Sequence, residues 1–273
     1  MKYLVALIPF SLFACYTPRY IYSPPATNVP VLVKKGDNKL AAYYSTLPFS
    51  NTAAKHFYNY GFDIQAAYAL SKHWGILFNV SKRFEKNSGD FDFFHLDSSF
   101  IKYKRILLEF GGGYFTPVSP GSKMNFQLMG GIGTGKFNMD DTGRNNLNQY
   151  YSRFHETLVT KVFLQPALQL RYSKYFSTSF ATRFIILWYH NIKTNYTPVE
   201  LDAFLLSELK AAPKTFLEPA IINSFGFKKL PAYLFELQLG LTSLTSHRFL
   251  DYRSVNFSIG AMVDFSKIRT KRK

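Results

Sequence analysis

The sequence predicts an all-β protein, a transmembrane antiparallel up-and-down β-barrel of about ten strands with one short helix in an outer loop. Three observations carry this. In the stretch 157–172, Leu158, Val162, Leu164, Leu168, Leu170 and Tyr172 fall on one face of an extended chain, with Thr160 and Pro166 as interruptions. Lys161, Gln165, Gln169 and Arg171 fall on the other. A soluble-domain strand runs about 5–6 residues and a tilted bilayer-crossing strand roughly 9–11, so so long an alternation suits a membrane stave. The second observation is aromatic content: 28 Phe and 19 Tyr among 273 residues exceed what a soluble core requires, and bilayer interfaces use such residues. The third is a rhythm of short and long connections, the habit of outer-membrane barrels. The formal charge of +16 comes without a basic amphipathic helix, zinc-finger or RNA-binding signature, so an anionic membrane surface fits it better than nucleic acid.

Residues 1–14 hold one positive charge, a short apolar run and a small residue before Cys15, the layout of a secretory signal. Cys15 is the only cysteine and has nothing to pair with inside the chain. Leu12, Phe13, Ala14 and Cys15 resemble the bacterial lipobox, which implies a lipid anchor on Cys15; the alternative is a plain signal peptide with an incidental cysteine. Residues 15–38 include Pro18, Pro24, Pro25 and Pro30, which favour an extended periplasmic tether between anchor and barrel. Cys15 followed by Tyr22-Ser23-Pro24-Pro25, Asn28-Val29-Pro30 and Lys34-Lys35-Gly36-Asp37 resembles the barrel lipoproteins of the Bacteroidota. The resemblance implies an outer-membrane location and a barrel, and brings no catalytic residue.

The barrel is expected over 39–265, with strands at 39–45, 60–71, 74–83, 103–115, 124–137, 157–172, 178–189, 215–227, 232–241 and 254–265, followed by a basic periplasmic tail at 266–273. An even strand number places both chain ends on the periplasmic side. The short connections hold Lys72, Lys123, Lys174, Lys228 and Lys229 and no carboxylate, whereas acidic residues such as Glu85, Asp140, Asp141, Glu200 and Asp251 fall in the connections expected to be outer. In one of these, Thr197-Pro198-Val199-Glu200 reads as a capping box that starts a helix. Its stripe of Leu201, Phe204, Leu205 and Leu209 must be covered by loop bases or lipid, by a partner, or by the lumen as a lid.

Alternation alone does not separate a membrane barrel from a soluble one. The set Asn125, Gln127, Met129, Gly131, Gly133 and Gly135 suits a crowded lumen, which turns sets such as Phe180, Phe184, Ile186 and Trp188 toward lipid. On this assignment an Arg at Leu164 is costly and one at Gln165 milder. Asp63, Arg105, Glu109, Lys161, Arg183, Glu218, Glu236 and Asp264 then point inward, either as a paired network filling the lumen or as a pore lined by Lys161, Arg183 and Glu218.

Chemistry is weakly represented. His95 with Asp97 and Ser98, and His155 near Asp140 and Asp141, are the available sets; no His-x-Ser occurs, and the six His show no metal-ligand spacing. Gly130 to Lys136 is glycine-rich, but Phe137 follows where a phosphate loop needs Ser or Thr. The expectation is no enzyme, cofactor or metal. The closing strand, through Gly260, Val263 and Phe265, resembles the signal read by barrel assembly machinery. Sequence alone therefore leaves a lipid-anchored barrel with a structural or binding role in the envelope, with outer-membrane lipids and the assembly machinery as partners. The alternatives are a narrow diffusion channel and an outer-rim hydrolase.

Overall fold

A computed structural model of the chain describes residues 21–46, 56–90, 98–144, 147–246 and 250–265. Cys15, the signal segment, His95, Asp97 and the tail 266–273 lie outside the described residues. Ten long antiparallel strands close on themselves: β1 Asn38–Thr46, β2 His56–Ala69, β3 Trp74–Asp90, β4 Ser98–Pro117, β5 Met124–Arg144, β6 Tyr150–Arg171, β7 Phe176–Thr194, β8 Lys214–Phe227, β9 Leu230–Leu241 and β10 Val255–Val263. Each pairs with its sequence neighbours, and β10 closes the cylinder on β1 with Leu40 opposite Val263. The strands β3 to β7 run past their expected ends, so that much of 84–102 and 138–156, expected as loop, is paired sheet. The reason is visible in β3: the alternation of Asn79, Ser81, Arg83, Glu85 and Asn87 on the inward face with Phe78, Val80, Lys82, Phe84 and Lys86 outward continues well past the expected end at Arg83.

The outward face is apolar. Phe62, Ile64, Phe78, Leu108, Phe110, Ile132, Leu164 and Phe184 are all exposed there, a surface suited to hydrocarbon rather than water. Aromatic girdles flank the band. At the short-turn end, Trp74 meets Tyr114 edge-on at 6.0 Å and Phe176 packs on Phe225 at 5.2 Å. Toward the loop end, Tyr44, Tyr58, Tyr60, Phe62 and Phe84 form a continuous cluster. This is the surface of a membrane-spanning barrel, and among the described residues no helix is long and apolar enough to cross a membrane.

Inside, the expected small-residue set of β5 does face the lumen, and crowding explains it: a Cβ on Gly131 would lie 2.7 Å from the Phe163 ring. Leu164 is 49% exposed and Gln165 fully buried. Leu164→Arg is therefore expected to cost about 2–4 kcal/mol if the site lies near mid-membrane, read by urea unfolding in lipid vesicles. An unchanged midpoint would refute the face assignment. The milder outcome expected at Gln165 is corrected, because its side chain donates a 2.8 Å hydrogen bond to the Asn28 carbonyl and a larger cation there would collide with what fills the lumen.

That filling is the segment expected to be a periplasmic tether. Residues 22–33 instead run down the inside of the barrel, with Tyr22, Ala26, Asn28, Val29 and Leu32 buried. The prolines do keep it extended, but the polar lumen supplies hydrogen-bond partners that a free tether would take from water. Ile21 and Tyr22 pair in parallel with Asp251 and Tyr252 near the loop end, and the chain then descends to the short-turn end before entering β1. The first described residue consequently lies toward the loop end and the last toward the short-turn end; the chain ends themselves, expected on one side, lie outside the described residues.

Candidate functional site

The lumen is the candidate site, and it has three storeys. In the middle, buried charges from eight of the strands and the plug's own side chains interlock. Glu109 on β4 receives Lys161 at 2.7 Å, Arg183 at 3.0 Å and the Asn79 amide at 2.8 Å. The Arg183 guanidinium also sits 4.5 Å over the Phe163 ring, and Glu218 lies opposite it in register. Asp63 holds Arg83 at 2.8 Å and accepts from Ser45. Glu236 holds Lys39 at 3.0 Å and accepts from Tyr43 and Ser224. Glu85 gathers Arg105 at 3.1 Å, Arg253, Asn59 and Ser23.

The plug is stitched to this wall mainly by side chains. Gln65 donates to the Ala26 carbonyl, Gln165 to Asn28, Gln127 to Pro30 and Asn125 to Leu32, while the Thr27 N–H donates to Gln238. Arg83 reaches the Pro24 carbonyl at 3.3 Å, and the Tyr22 hydroxyl donates to Glu218 at 2.9 Å. Carbonyls that the prolines leave without a sheet partner are thus satisfied by amides spaced around the cylinder.

Above lies an apolar storey closed by a lid. The loop after β7 forms two short helices, α1 Pro198–Ala203 and α2 Glu208–Ala211, where one was expected. The expected capping box is present, with Thr197 accepting from the Glu200 N–H and Glu200 accepting from the Thr197 N–H. The break comes at Leu205, whose φ of 51° turns the chain so that Leu206 and Leu209, rather than Leu205, are buried. They join Tyr103, Phe137, Leu187, Tyr189 and Phe216 in the upper core, on which Tyr22 stacks at 4.3 Å from Phe216. Arg153 clamps Glu200 at 3.0 Å and the Tyr196 hydroxyl bonds Asp141 at 2.7 Å. Burial raises the Glu200 pKa, but hydrogen bonds from Thr197 and Arg153 outweigh it and leave the carboxyl below its ordinary range. Asp251, beside the plug's upper end, is pushed up to about 7 by burial, against the Tyr252 N–H and the charge of Arg105.

Below lies an open vestibule of about 790 Å³ at the short-turn mouth, bordered by Lys34, Asp37, Arg171, Lys174, Lys228 and Asp264 among others. Of the eight residues expected inside, Asp63, Arg105, Glu109, Lys161, Arg183, Glu218 and Glu236 are buried in the lumen. Asp264 stands apart from them, half-exposed on this lower mouth, because β10 ends one residue earlier. Lys161, Arg183 and Glu218 do not line an open pore; they converge on Glu109 and Tyr22. Sequence reasoning missed Arg83, Glu85 and Arg253. Parity would have found the first two, since both continue the inward series of β3, whereas Arg253 precedes its strand and carries no such signal.

His155 and Asp141 face inward, but Asp140 faces the exterior, so the three do not form one constellation. Among the described residues no group of three His, Cys, Asp or Glu could hold a metal. Gly260 faces the Tyr43 ring so closely that no side chain fits, and Val263 and Phe265 lie on the outward side of the closing strand.

No family model and no curated protein matches the sequence. Among solved structures, the translocator domain of the autotransporter NalP from Neisseria meningitidis is similar at a TM-score of 0.49 and 10% identity, over 84% of this chain and 88% of that one. An outer-membrane channel from Pseudomonas putida F1 gives 0.39 and 8%, over 88% and 100%. Ail, the attachment invasion locus protein of Yersinia pestis, gives 0.28 and 13%, over 85% and 99%. These are resemblances of barrel shape, and no functional residue is carried over from them.

Proposed function

We propose that this chain is an integral outer-membrane β-barrel that closes its own lumen with residues 22–33 and serves the envelope in a structural or binding role, without catalysis, cofactor or nucleic acid. The observation that carries the reading is the plug itself, seated among buried ion pairs and capped by the apolar lid. The apolar outer band supports a membrane, and alternating short and long connections support an orientation with the short turns periplasmic. His155, the strongest local case for chemistry, is buried with Asp140 on the far side of the wall. The test is conductance in planar bilayers: the intact chain is expected to be silent, and steady conductance of the intact chain would overturn the reading.

A second reading, a channel opened by displacing the plug, is favoured by one specific observation. The plug is held largely by side-chain hydrogen bonds rather than by a strand ladder, and its removal would leave a polar wall that water can wet.

Lipid attachment at Cys15 belongs to the same proposal and carries a changed address. Five residues separate Cys15 from Ile21, six peptide steps that reach at most about 20 Å. Since Ile21 lies toward the loop end, a lipid on Cys15 would enter the leaflet on that side. Cys15→Ala is expected to abolish labelling by a radioactive fatty acid while the folded band on unheated gels persists; persistent labelling would contradict the anchor.

A further inference from the structure

The outer wall carries a feature that an apolar belt does not explain. Where the band ends toward the loops, Lys82 and Lys86 of β3 and Lys102 and Lys104 of β4 all point outward and are exposed. The register places Lys86 directly opposite Lys102, and Phe84 opposite Lys104. Like charges facing each other across a ladder repel and weaken the pair. Both ammonium groups nevertheless lean over the single ring of Phe100, at 4.4 Å and 5.3 Å from its centroid, while Lys82 lies 5.0 Å from that of Phe84. Among the described residues none of the four has a carboxylate within ion-pairing distance; Asp140 is opposite Lys102 in register without closing such a pair, and neighbouring Lys136 is already matched by Glu156 at 2.9 Å. Immediately below, on the same strands, come Val80, Phe78, Ile106, Leu108 and Phe110, the hydrocarbon-facing rows.

We propose that these four lysines form a seat for the phosphate-bearing headgroup of a membrane lipid in the leaflet at the loop end. The height of the patch picks the occupant. A soluble anion would find the lysines, but only a lipid places a phosphate at the boundary while its acyl chains lie along the apolar rows beneath. The charge is complementary, and the aromatic rings orient the ammonium groups without neutralising them. This rests on the reading of the barrel as membrane-spanning, and the experiment separates the two.

Wild type and a Lys82→Gln, Lys86→Gln, Lys102→Gln, Lys104→Gln variant are folded into phosphatidylcholine vesicles with or without the bis-phosphorylated glycolipid lipid A, and bound lipid is measured by native mass spectrometry after gentle detergent extraction. Wild type is expected to retain lipid A, and the variant to bind at least about tenfold more weakly. A control in which Lys72, Lys123, Lys174 and Lys228 at the short-turn end become Gln is expected to match wild type. Equal retention by the lysine-patch variant and wild type would overturn the proposal, as would competition by inorganic phosphate at the concentration of lipid A. Thermal unfolding gives a second reading that a merely structural patch would not move: added lipid A raises the wild-type midpoint and leaves that of Lys86→Gln, Lys102→Gln unshifted. A shift of equal size in both would also overturn it. Failure of wild type to insert into vesicles at all would instead refute the membrane reading.

Discussion

Deleting residues 22–33 is expected to turn a silent barrel into a conducting one. The segment contributes no strand to the cylinder, so the ten-stranded wall can close without it. What it leaves behind is a lining of Gln65, Asn125, Gln127, Gln165 and Gln238, whose amides now bond to plug backbone and would bond to water instead. The buried ion pairs project from the wall and would narrow the path rather than seal it. The lid remains, but it loses Tyr22 as a packing partner against Phe216, so openings are expected to flicker. Adding Leu206→Ser and Leu209→Ser should lengthen them. Planar-bilayer recordings decide the matter: a deletion protein that shows the heat-modifiable band of a folded barrel yet stays electrically silent, with and without the lid changes, would mean that the wall collapses or that another element seals it.

Glu109→Ala is expected to cause a large loss of stability. The carboxylate is 2% exposed and serves Lys161, Arg183 and Asn79 at once. Removing it strands two cations in a lumen that the plug keeps from bulk water, and breaking a buried pair in this way costs about 3–5 kcal/mol. Combining Glu109→Ala with Lys161→Met should recover part of the loss, because one stranded charge disappears with its partner. Urea unfolding in vesicles measures both; a single-mutant cost below about 1 kcal/mol would mean that water reaches the network.

The wall was legible in the sequence because its period of two needs only that one side meet lipid and the other meet polar groups. All ten strands are where alternation predicts, and the stretch 157–172 lies almost wholly within β6. Their upper ends were not recovered: Glu85 and Asp141 are charged residues in strands that leave the hydrocarbon band, where acidity was taken for a loop. The plug was missed for another reason. A proline-rich segment has the same extended backbone in water and in a lumen, and what distinguishes the cases is a set of five amides scattered over four distant strands that no local pattern links to it. The lid's start was legible from its capping box, but the break at Leu205 depends on the lumen's demand for Leu206.

The position of the plug also dictates the order in which the molecule can be made. Its residues touch walls contributed by strands from β2 to β10, and it runs directly into β1, the strand on which β10 must finally close. A finished cylinder offers no side entrance, and passing a chain end through a lumen lined with interlocked ion pairs would mean breaking them one after another. The sheet must therefore curl around the segment while the seam between β1 and β10 is still open. On that route a segment synthesised before any strand of the wall becomes the mandrel on which the strands are wound, and the joining of sequence-distant edges comes last and slowest. Changes that loosen the plug's amide contacts would then appear first as slow or incomplete seam closure in a newly made chain, well before they registered as weakness in a finished barrel.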